Sequence, residues 1–214
     1  FPENAFRSLL IGGSRMELVI AHPAIRAVTL TGSTPAGKSV ASLAGKYLKK
    51  SVLELGGSDP YLILEDADLE QAADICAGSR LLNAGQSCIS AKRIIIEETV
   101  YEPFCRYMRK KMSAVTFGDP FAMETGIGPL ARADLRDELH GQVIRSADLG
   151  AKITLGGTVP PGKGNFYPPT ILEDVLPGMP AYAEELFGPV AALIRARNEK
   201  DAVEIANDSP FGLG

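Results

Sequence analysis

Apolar strand-like runs alternate with helix-like segments along almost the whole chain, and this alternation constrains the fold more than any other sequence feature. Such alternation is typical of α/β proteins with mainly parallel strands. The predicted strands cover residues 25–30, 51–55, 61–64, 93–97, 152–155 and 189–196, and the predicted helices cover residues 35–48, 69–82, 101–115, 134–149 and 199–207. The glycine- and proline-rich run at residues 156–169 predicts an exposed loop. The sequence therefore predicts an α/β fold.

Two adjacent glycines, Gly56 and Gly57, give the best candidate for a domain boundary. Glycines remove side chains and permit a change of chain direction. We expect one domain over residues 1–56 and a second over residues 57–214.

A thiol follows a small turn at residues 85–88, Gly-Gln-Ser-Cys, between a predicted helix and a predicted strand. Cysteine is the best side-chain nucleophile near neutral pH, and backbone N–H groups beside it can hold an oxyanion. The alternative is that Cys88 is a buried small hydrophobe, which is a common fate of a free cysteine. The turn makes Cys88 a candidate nucleophile.

A single carboxylate, Glu54, interrupts an otherwise apolar strand immediately before the two glycines. We expect it to be at least partly buried, which is costly for a carboxylate and suits a general base. A structural glutamate at a strand end is an equally good interpretation of this residue alone.

Residues 32–39, Gly-Ser-Thr-Pro-Ala-Gly-Lys-Ser, match the phosphate-binding pattern of P-loop nucleotidases between a predicted strand and a predicted helix. Pro35 at the first helical position, with Thr34 as N-cap, would start the helix before Gly37 and leave the phosphate cradle too short. In either case Gly32 and Ser33 can present N–H groups and a helix dipole to a phosphate.

Composition excludes several classes of function. The net charge of −4, with both signs spread along the chain, gives no basic stripe for nucleic acid. No apolar run reaches the roughly 18 residues of a membrane span. Three cysteines argue against a disulfide scaffold and for a reducing compartment such as the cytoplasm. The two histidines, His22 and His140, stand apart from any metal-ligand spacing, so we expect no metal.

Four segments together resemble the aldehyde dehydrogenase superfamily in its own order. They are residues 53–57 (Leu-Glu-Leu-Gly-Gly), 85–88, 184–190 (Glu-Glu-Leu-Phe-Gly-Pro-Val), and 31–33 followed by Gly37. The sequence around residues 51–60 and 83–93 is most similar to the succinate-semialdehyde dehydrogenase branch. The resemblance extends over essentially the whole chain, which would correspond to the later part of the family's length.

The resemblance implies an α/β catalytic domain over residues 57–214, truncated, and the C-terminal part of a Rossmann-like NAD(P)-binding domain over residues 1–56. It implies that Cys88 attacks the aldehyde to form a thiohemiacetal, whose oxyanion is held partly by the backbone N–H of Cys88. Hydride transfer to NAD or NADP would leave a thioester, and Glu54 would activate the water that hydrolyses it.

The resemblance also implies a set of cofactor contacts. The pyrophosphate would lie beside a helix N-terminus, the nicotinamide in a small pocket, and its ribose on a carboxylate. The implied residues are Gly32, Ser33 and Gly37 for the pyrophosphate loop, Leu55 and Gly56 for the nicotinamide pocket, Glu185 for the ribose hydroxyls and Phe187 beside the cofactor.

The sequence departs from the succinate-semialdehyde pattern at two positions. The arginine that many members place six residues before the nucleophile is Leu82 here, although Arg80 or an upstream arginine could substitute for it. The usual lysine after the double glycine is Ser58. The family's second oxyanion donor and its first cofactor-binding strands would lie upstream of residue 1, so we expect the 214-residue piece alone to have little activity.

The sequence therefore predicts an NAD- or NADP-dependent aldehyde dehydrogenase, acting on a small aldehyde such as succinate semialdehyde. The resemblance implies a homodimer or homotetramer, with no nucleic-acid or membrane partner. Two alternatives stay open at this point: a P-loop nucleotidase that uses residues 32–39, and an inactive structural or assembly module.

Overall fold

The computed structural model describes residues 2–213, which form two compact units. The boundary between the units falls between Gly56 and Gly57. Within the described residues, no helix combines the length and the apolar character that a membrane crossing requires.

The first unit contains two parallel strands and two helices. Strand β1 (Ala27–Thr31) pairs with β2 (Lys50–Glu54) in a register that sets Thr31 opposite Glu54. A short helix α1 (Met16–Ala21) precedes β1, and helix α2 (Thr34–Lys46) connects the two strands. The carboxylate of Glu17 accepts hydrogen bonds from Lys46 Nζ at 2.7 Å and from the Tyr47 hydroxyl at 2.8 Å. These bonds tie α1 to the end of α2.

Helix α2 begins almost directly after β1, because only Gly32 and Ser33 separate the two elements. The Ser33 hydroxyl accepts a hydrogen bond from the backbone N–H of Ala36 at 3.4 Å, so Ser33 is the N-cap. The prediction of Thr34 as N-cap is wrong by one residue. Pro35 then falls in the first turn, where a missing N–H leaves no helical hydrogen bond unmade.

The second unit is built on a five-stranded sheet with the order β3-β4-β7-β6-β5. All neighbouring strands are parallel except β5 and β6, which are antiparallel. The strands are β3 (Asp59–Ile63), β4 (Ala91–Glu97), β5 (Lys152–Leu155), β6 (Thr170–Glu173) and β7 (Val190–Ala196). The helices are α3 (Leu69–Leu81), α4 (Tyr101–Ser113), α5 (Ala133–Asp148), α6 (Pro180–Ala183) and α7 (Glu199–Asn207).

The core of this unit lies around the central strands β4 and β7. Every residue of β4 is buried, and so is every residue of β7 except Arg195. A parallel strand that is covered on both faces needs apolar residues on both, and the run Ile94–Ile96 supplies them. Helices α3 and α4 pack against each other on this sheet and bury Phe104 and Met108.

The α/β prediction with mainly parallel strands is confirmed, and most predicted elements are found with ends shifted by one or two residues. Strand β6 was not predicted, because its four residues directly follow the prolines of a glycine-rich segment. The prediction of an exposed loop over residues 156–169 is wrong in part. Gly157 and Tyr167 are buried there, because the chain returns to the sheet to form β6.

Helix α2 offers a matched pair of glycines for a stability test. A Cβ at Gly37 would lie within 2.7 Å of both terminal carbons of Leu55, whereas Gly45 faces open space. Gly37→Ala should lower the free energy of unfolding by roughly 1–3 kcal/mol through overpacking. Gly45→Ala should raise it by up to about 1 kcal/mol through helix propensity. Urea denaturation of both variants checks this, and equal effects would contradict the packing of α2 on Leu55.

Candidate active site

The turn that carries Cys88 has an unusual backbone. It follows α3 and contains three consecutive residues with left-handed φ, namely Asn83 (53°), Ala84 (54°) and Gly85 (75°). The side-chain amide of Asn83 donates to the Gln86 carbonyl, and that of Gln86 donates to the Asn83 carbonyl, both at 3.1 Å. Non-glycine residues adopt this conformation at a cost, and such strain is concentrated at functional sites. Cys88 itself is half-buried at the end of the turn.

Gly85 is the point where the turn meets the segment before β7. A Cβ at position 85 would overlap the carbonyl group of Gly188 and lie 2.6 Å from the nitrogen of Pro189. Two of the segments that the sequence singled out, residues 85–88 and 184–190, therefore touch each other in the second unit. Only glycine combines this close approach with a positive φ.

Arg80 supports the turn from inside the protein. Its side chain is fully buried and donates to the carbonyl oxygens of Gly85 and Ala91, the latter at 3.2 Å. Burial lowers the pKa of Arg80 to about 10, and the charge of Glu185 opposes that shift. A guanidinium in this place has no exposed face for a substrate. The suggestion that Arg80 could replace the arginine missing at position 82 is therefore wrong, and Leu82 is an exposed apolar side chain.

Lys92 is a second buried cation beside the turn, and it was not among the site residues predicted from the sequence. Its ammonium group donates to the carbonyl oxygens of Ser87 at 2.8 Å and Cys88 at 2.7 Å. It also forms an ion pair of 3.2 Å with Glu185 Oε1. Burial lowers the pKa of Lys92, while the charges of Glu185 and of the Cys88 thiolate oppose the shift. The signal available in the sequence was a lysine four residues after Cys88, at the start of the strand-like run at residues 91–96.

Glu185 reaches the same place from the segment that follows α6. Its Oε1 accepts a hydrogen bond from the backbone N–H of Gly57 at 3.2 Å as well as the contact from Lys92. The Glu185 side chain keeps 18% of its surface exposed, and Phe187 is half-buried. The structure thus brings the Cys88 turn, Lys92, Glu185 and Gly57 together within the second unit.

The remaining candidate residues belong to the first unit. Gly32 and Ser33 form the connection between β1 and α2, and Gly37 is buried in α2 against Leu55. Gly32 N–H donates to the Glu54 carbonyl at 3.0 Å, so Glu54 ends β2 beside this connection.

The expectation that Glu54 is buried is wrong, because its side chain is exposed. It is the last residue of β2, in a two-stranded sheet whose strands are largely uncovered.

A sequence model described as "Aldehyde dehydrogenase family" matches residues 1–214. The chain belongs to the aldehyde dehydrogenase family. The resemblance drawn from the four sequence segments is thereby confirmed.

Relatives in this family cover the whole chain but extend well beyond it. The chain is 49% identical over 214 residues to a probable NADP(+) succinate-semialdehyde dehydrogenase of Synechocystis sp., matching 100% of this chain and 47% of that protein. It is 46% identical over 214 residues to succinate-semialdehyde dehydrogenase (NADP(+)) 1 of Mycobacterium ulcerans, again 100% of this chain and 47% of that protein. The chain spans about half the length of the curated relatives it matches.

Solved aldehyde dehydrogenase structures have the same fold. The succinic semialdehyde dehydrogenase of Streptococcus pyogenes, in complex with NADP+, superposes with a TM-score of 0.92 at 40% identity over 96% of this chain and 45% of that one. Lactaldehyde dehydrogenase from Escherichia coli gives a TM-score of 0.89 at 37% identity over 92% and 42%.

The P-loop alternative does not hold for this aldehyde dehydrogenase chain. Helix α2 starts at Thr34, so Gly37 and Lys38 lie inside the helix rather than in a loop that could wrap phosphates. Gly37 serves packing, since Leu55 fills the space that a side chain would need. Among the described residues, no group of three or more His, Cys, Asp or Glu side chains could hold a metal ion.

The three cysteines of the chain should differ sharply in reactivity. Cys76 and Cys105 are 1% and 0% exposed, and burial raises the pKa of each thiol to about 12, whereas Cys88 is half-buried. At pH 8 a thiol with that pKa is roughly one part in 10⁴ thiolate. Iodoacetamide at pH 8 should therefore modify Cys88 at least about 100-fold faster than either other cysteine, as measured by peptide mass spectrometry. Comparable modification of Cys105 would contradict this assignment.

Proposed function

We propose that the complete polypeptide containing this sequence oxidises an aldehyde to a carboxylic acid, with succinate semialdehyde as the substrate and NADP+ or NAD+ as the oxidant. The observation that carries the proposal is the cluster in the second unit. A half-buried thiol lies there on a strained turn, and a buried lysine connects the backbone of that turn to a partly exposed carboxylate. The names of the relatives support the substrate and favour NADP+.

Cys88 performs the covalent chemistry in this proposal. Its thiolate adds to the aldehyde carbon, a C–S bond forms, and the carbonyl π electrons move to the oxygen. The backbone N–H of Cys88 then donates to that oxyanion. When bound, the nicotinamide supplies the acceptor for the hydride that the aldehyde carbon loses. Cys88 is left as a thioester of the future acid.

Glu54 completes the reaction as general base. Its carboxylate takes a proton from water while the water oxygen adds to the thioester carbon, and the C–S bond then breaks to release the Cys88 thiolate. One water and one oxidised cofactor are consumed for each acid and reduced cofactor formed. This role of Glu54 rests on the resemblance of residues 53–57 to the family pattern. Exposure of the side chain leaves the carboxylate accessible to water.

The residues of the chain fit a dinucleotide in two places. Gly32 and Ser33 stand at the N-terminus of the 13-residue helix α2, whose dipole favours a pyrophosphate, and Gly37 permits close packing of that helix. Glu185 keeps part of its side chain exposed for ribose hydroxyls, and Phe187, two residues later, is half-buried. Leu55 and Gly56, both half-buried, would line the nicotinamide pocket.

Two further expectations belong to the proposal. We propose a cytoplasmic location, because three sparse cysteines are typical of proteins from a reducing compartment. The family resemblance implies a homodimer or homotetramer.

Steady-state kinetics of the complete polypeptide tests the proposed substrate. Succinate semialdehyde should give a kcat/KM at least about tenfold above that of butanal, which has the same carbon length without the carboxylate. A site that pairs with a polar group discriminates against the analogue that lacks it. Position 82 offers only a leucine, so the cation for this carboxylate must come from another residue. Equal kcat/KM values for the two aldehydes would contradict succinate semialdehyde, and no oxidation of any aldehyde would contradict the proposed activity.

A further inference from the structure

Lys92 is buried in a way that demands an explanation. Its side chain is 1% exposed within strand β4, in which every residue is buried. A buried ammonium group is strongly destabilising unless hydrogen bonds and an opposite charge compensate for it. Lys92 has both, because its three contacts match the three N–H donors of an ammonium group.

Two of these contacts fix the backbone on both sides of the Cys88 Cα atom. The Ser87 carbonyl belongs to the same planar peptide group as the Cys88 N–H, and no described peptide bond is cis. Because the carbonyl and the N–H of a trans peptide point in opposite directions, the 2.8 Å bond from Lys92 to Ser87 sets the direction of the Cys88 N–H. The 2.7 Å bond to the Cys88 carbonyl fixes the next peptide group.

The third contact of Lys92 connects the Cys88 backbone to Glu185, the carboxylate that is proposed to bind the cofactor ribose. Glu185 Oε1 lies 3.2 Å from Lys92 Nζ and accepts the Gly57 N–H at the same distance. Gly57 packs closely on the turn as well, since a Cβ there would lie 2.7 Å from the Cys88 carbonyl oxygen. One buried charge therefore touches the backbone of the nucleophile and the side chain of Glu185.

We propose that Lys92 is a positioning residue. It fixes the direction of the Cys88 N–H, so that this group can donate to an oxyanion, and it holds the Glu185 side chain in place relative to Cys88. The role of the Cys88 N–H as oxyanion donor rests on the proposed function, whereas the fixing of the Cys88 backbone does not depend on it. Lys92 does not itself touch the reacting atoms in this account.

Arg93 provides a matched control in the next position of the same strand. It is equally buried, and it donates to the backbone carbonyls of Ser58, Ile205 and Ala206 rather than to the nucleophile turn. Replacing either cation by methionine removes a buried charge and the side-chain donors to backbone carbonyl groups. A purely structural role for Lys92 would make the two replacements equivalent in every functional measurement.

The first measurement is the rate of iodoacetamide modification of Cys88 in the complete polypeptide, without cofactor or aldehyde. Lys92→Met should change this rate at least about fivefold, because the backbone on both sides of Cys88 loses the hydrogen bonds that hold the thiol in its position. Arg93→Met should leave the rate of its folded fraction within about twofold of the wild-type rate. A change smaller than fivefold in Lys92→Met would overturn the proposal.

The second measurement separates turnover from binding. At saturating cofactor, Lys92→Met should lower kcat by about 100-fold while KM for the aldehyde stays within about threefold, which is the pattern expected when an oxyanion donor is lost. Arg93→Met should retain kcat within about threefold after correction for the folded fraction. A loss that appears in KM alone, or that is equal in both variants, would overturn the positioning role.

A third comparison covers the case in which Lys92→Met fails to fold because Glu185 loses its partner. The double variant Lys92→Met/Glu185→Gln removes the uncompensated charge, and Glu185→Gln is its reference. The rate of Cys88 modification in the double variant should again differ at least about fivefold from that in Glu185→Gln, and a smaller difference would overturn the proposal. If the wild-type protein oxidises no aldehyde while these differences in rate persist, the proposed function fails and the fixing of Cys88 stands.

Discussion

The candidate site depends on two buried cations whose side chains donate hydrogen bonds to backbone carbonyl groups in, and directly after, the turn that carries Cys88. Arg80 binds the carbonyls of Gly85 and Ala91, and Lys92 binds those of Ser87 and Cys88. Buried carbonyl groups need donors. The backbone supplies a 3.4 Å contact from the Ser90 N–H to the Ser87 carbonyl, and the two cations add the bonds named above. Glu185 offsets the charge of both cations. Cys88, its turn and the Glu185 carboxylate are therefore parts of one electrostatic arrangement.

The fold was largely predictable because its main elements have strong local patterns. The isoleucines of β4 and the apolar run of β7 indicate strands that are covered on both faces, and this is where they lie. Strand β6 has no comparable signal, because four residues after two prolines become a strand only through pairing with β5 and β7. The N-cap of α2 was misplaced by one position, since two adjacent hydroxyl residues are both good caps.

The site was predictable in its residue types but not in its contacts. Cys88 and Glu185 stand in recognisable segments, whereas the sequence does not show which carbonyl groups Arg80 and Lys92 bind. Both cations are buried by tertiary packing, which no local pattern shows. For Glu54, the burial predicted from the sequence was wrong. An apolar sequence around it suggested burial, but the Glu54 side chain at the end of β2 is exposed.

In the proposed reaction, Cys88 carries the acyl group and Glu54 activates the water that releases it. Mass spectrometry of the Glu54→Gln variant of the complete polypeptide, after mixing with succinate semialdehyde and NADP+, tests these two roles together. We expect a succinyl group on Cys88, found by peptide mapping, and its absence when the cofactor is omitted. A Glu54→Gln protein that turns over normally without such an adduct, or an adduct on another residue, would contradict the account.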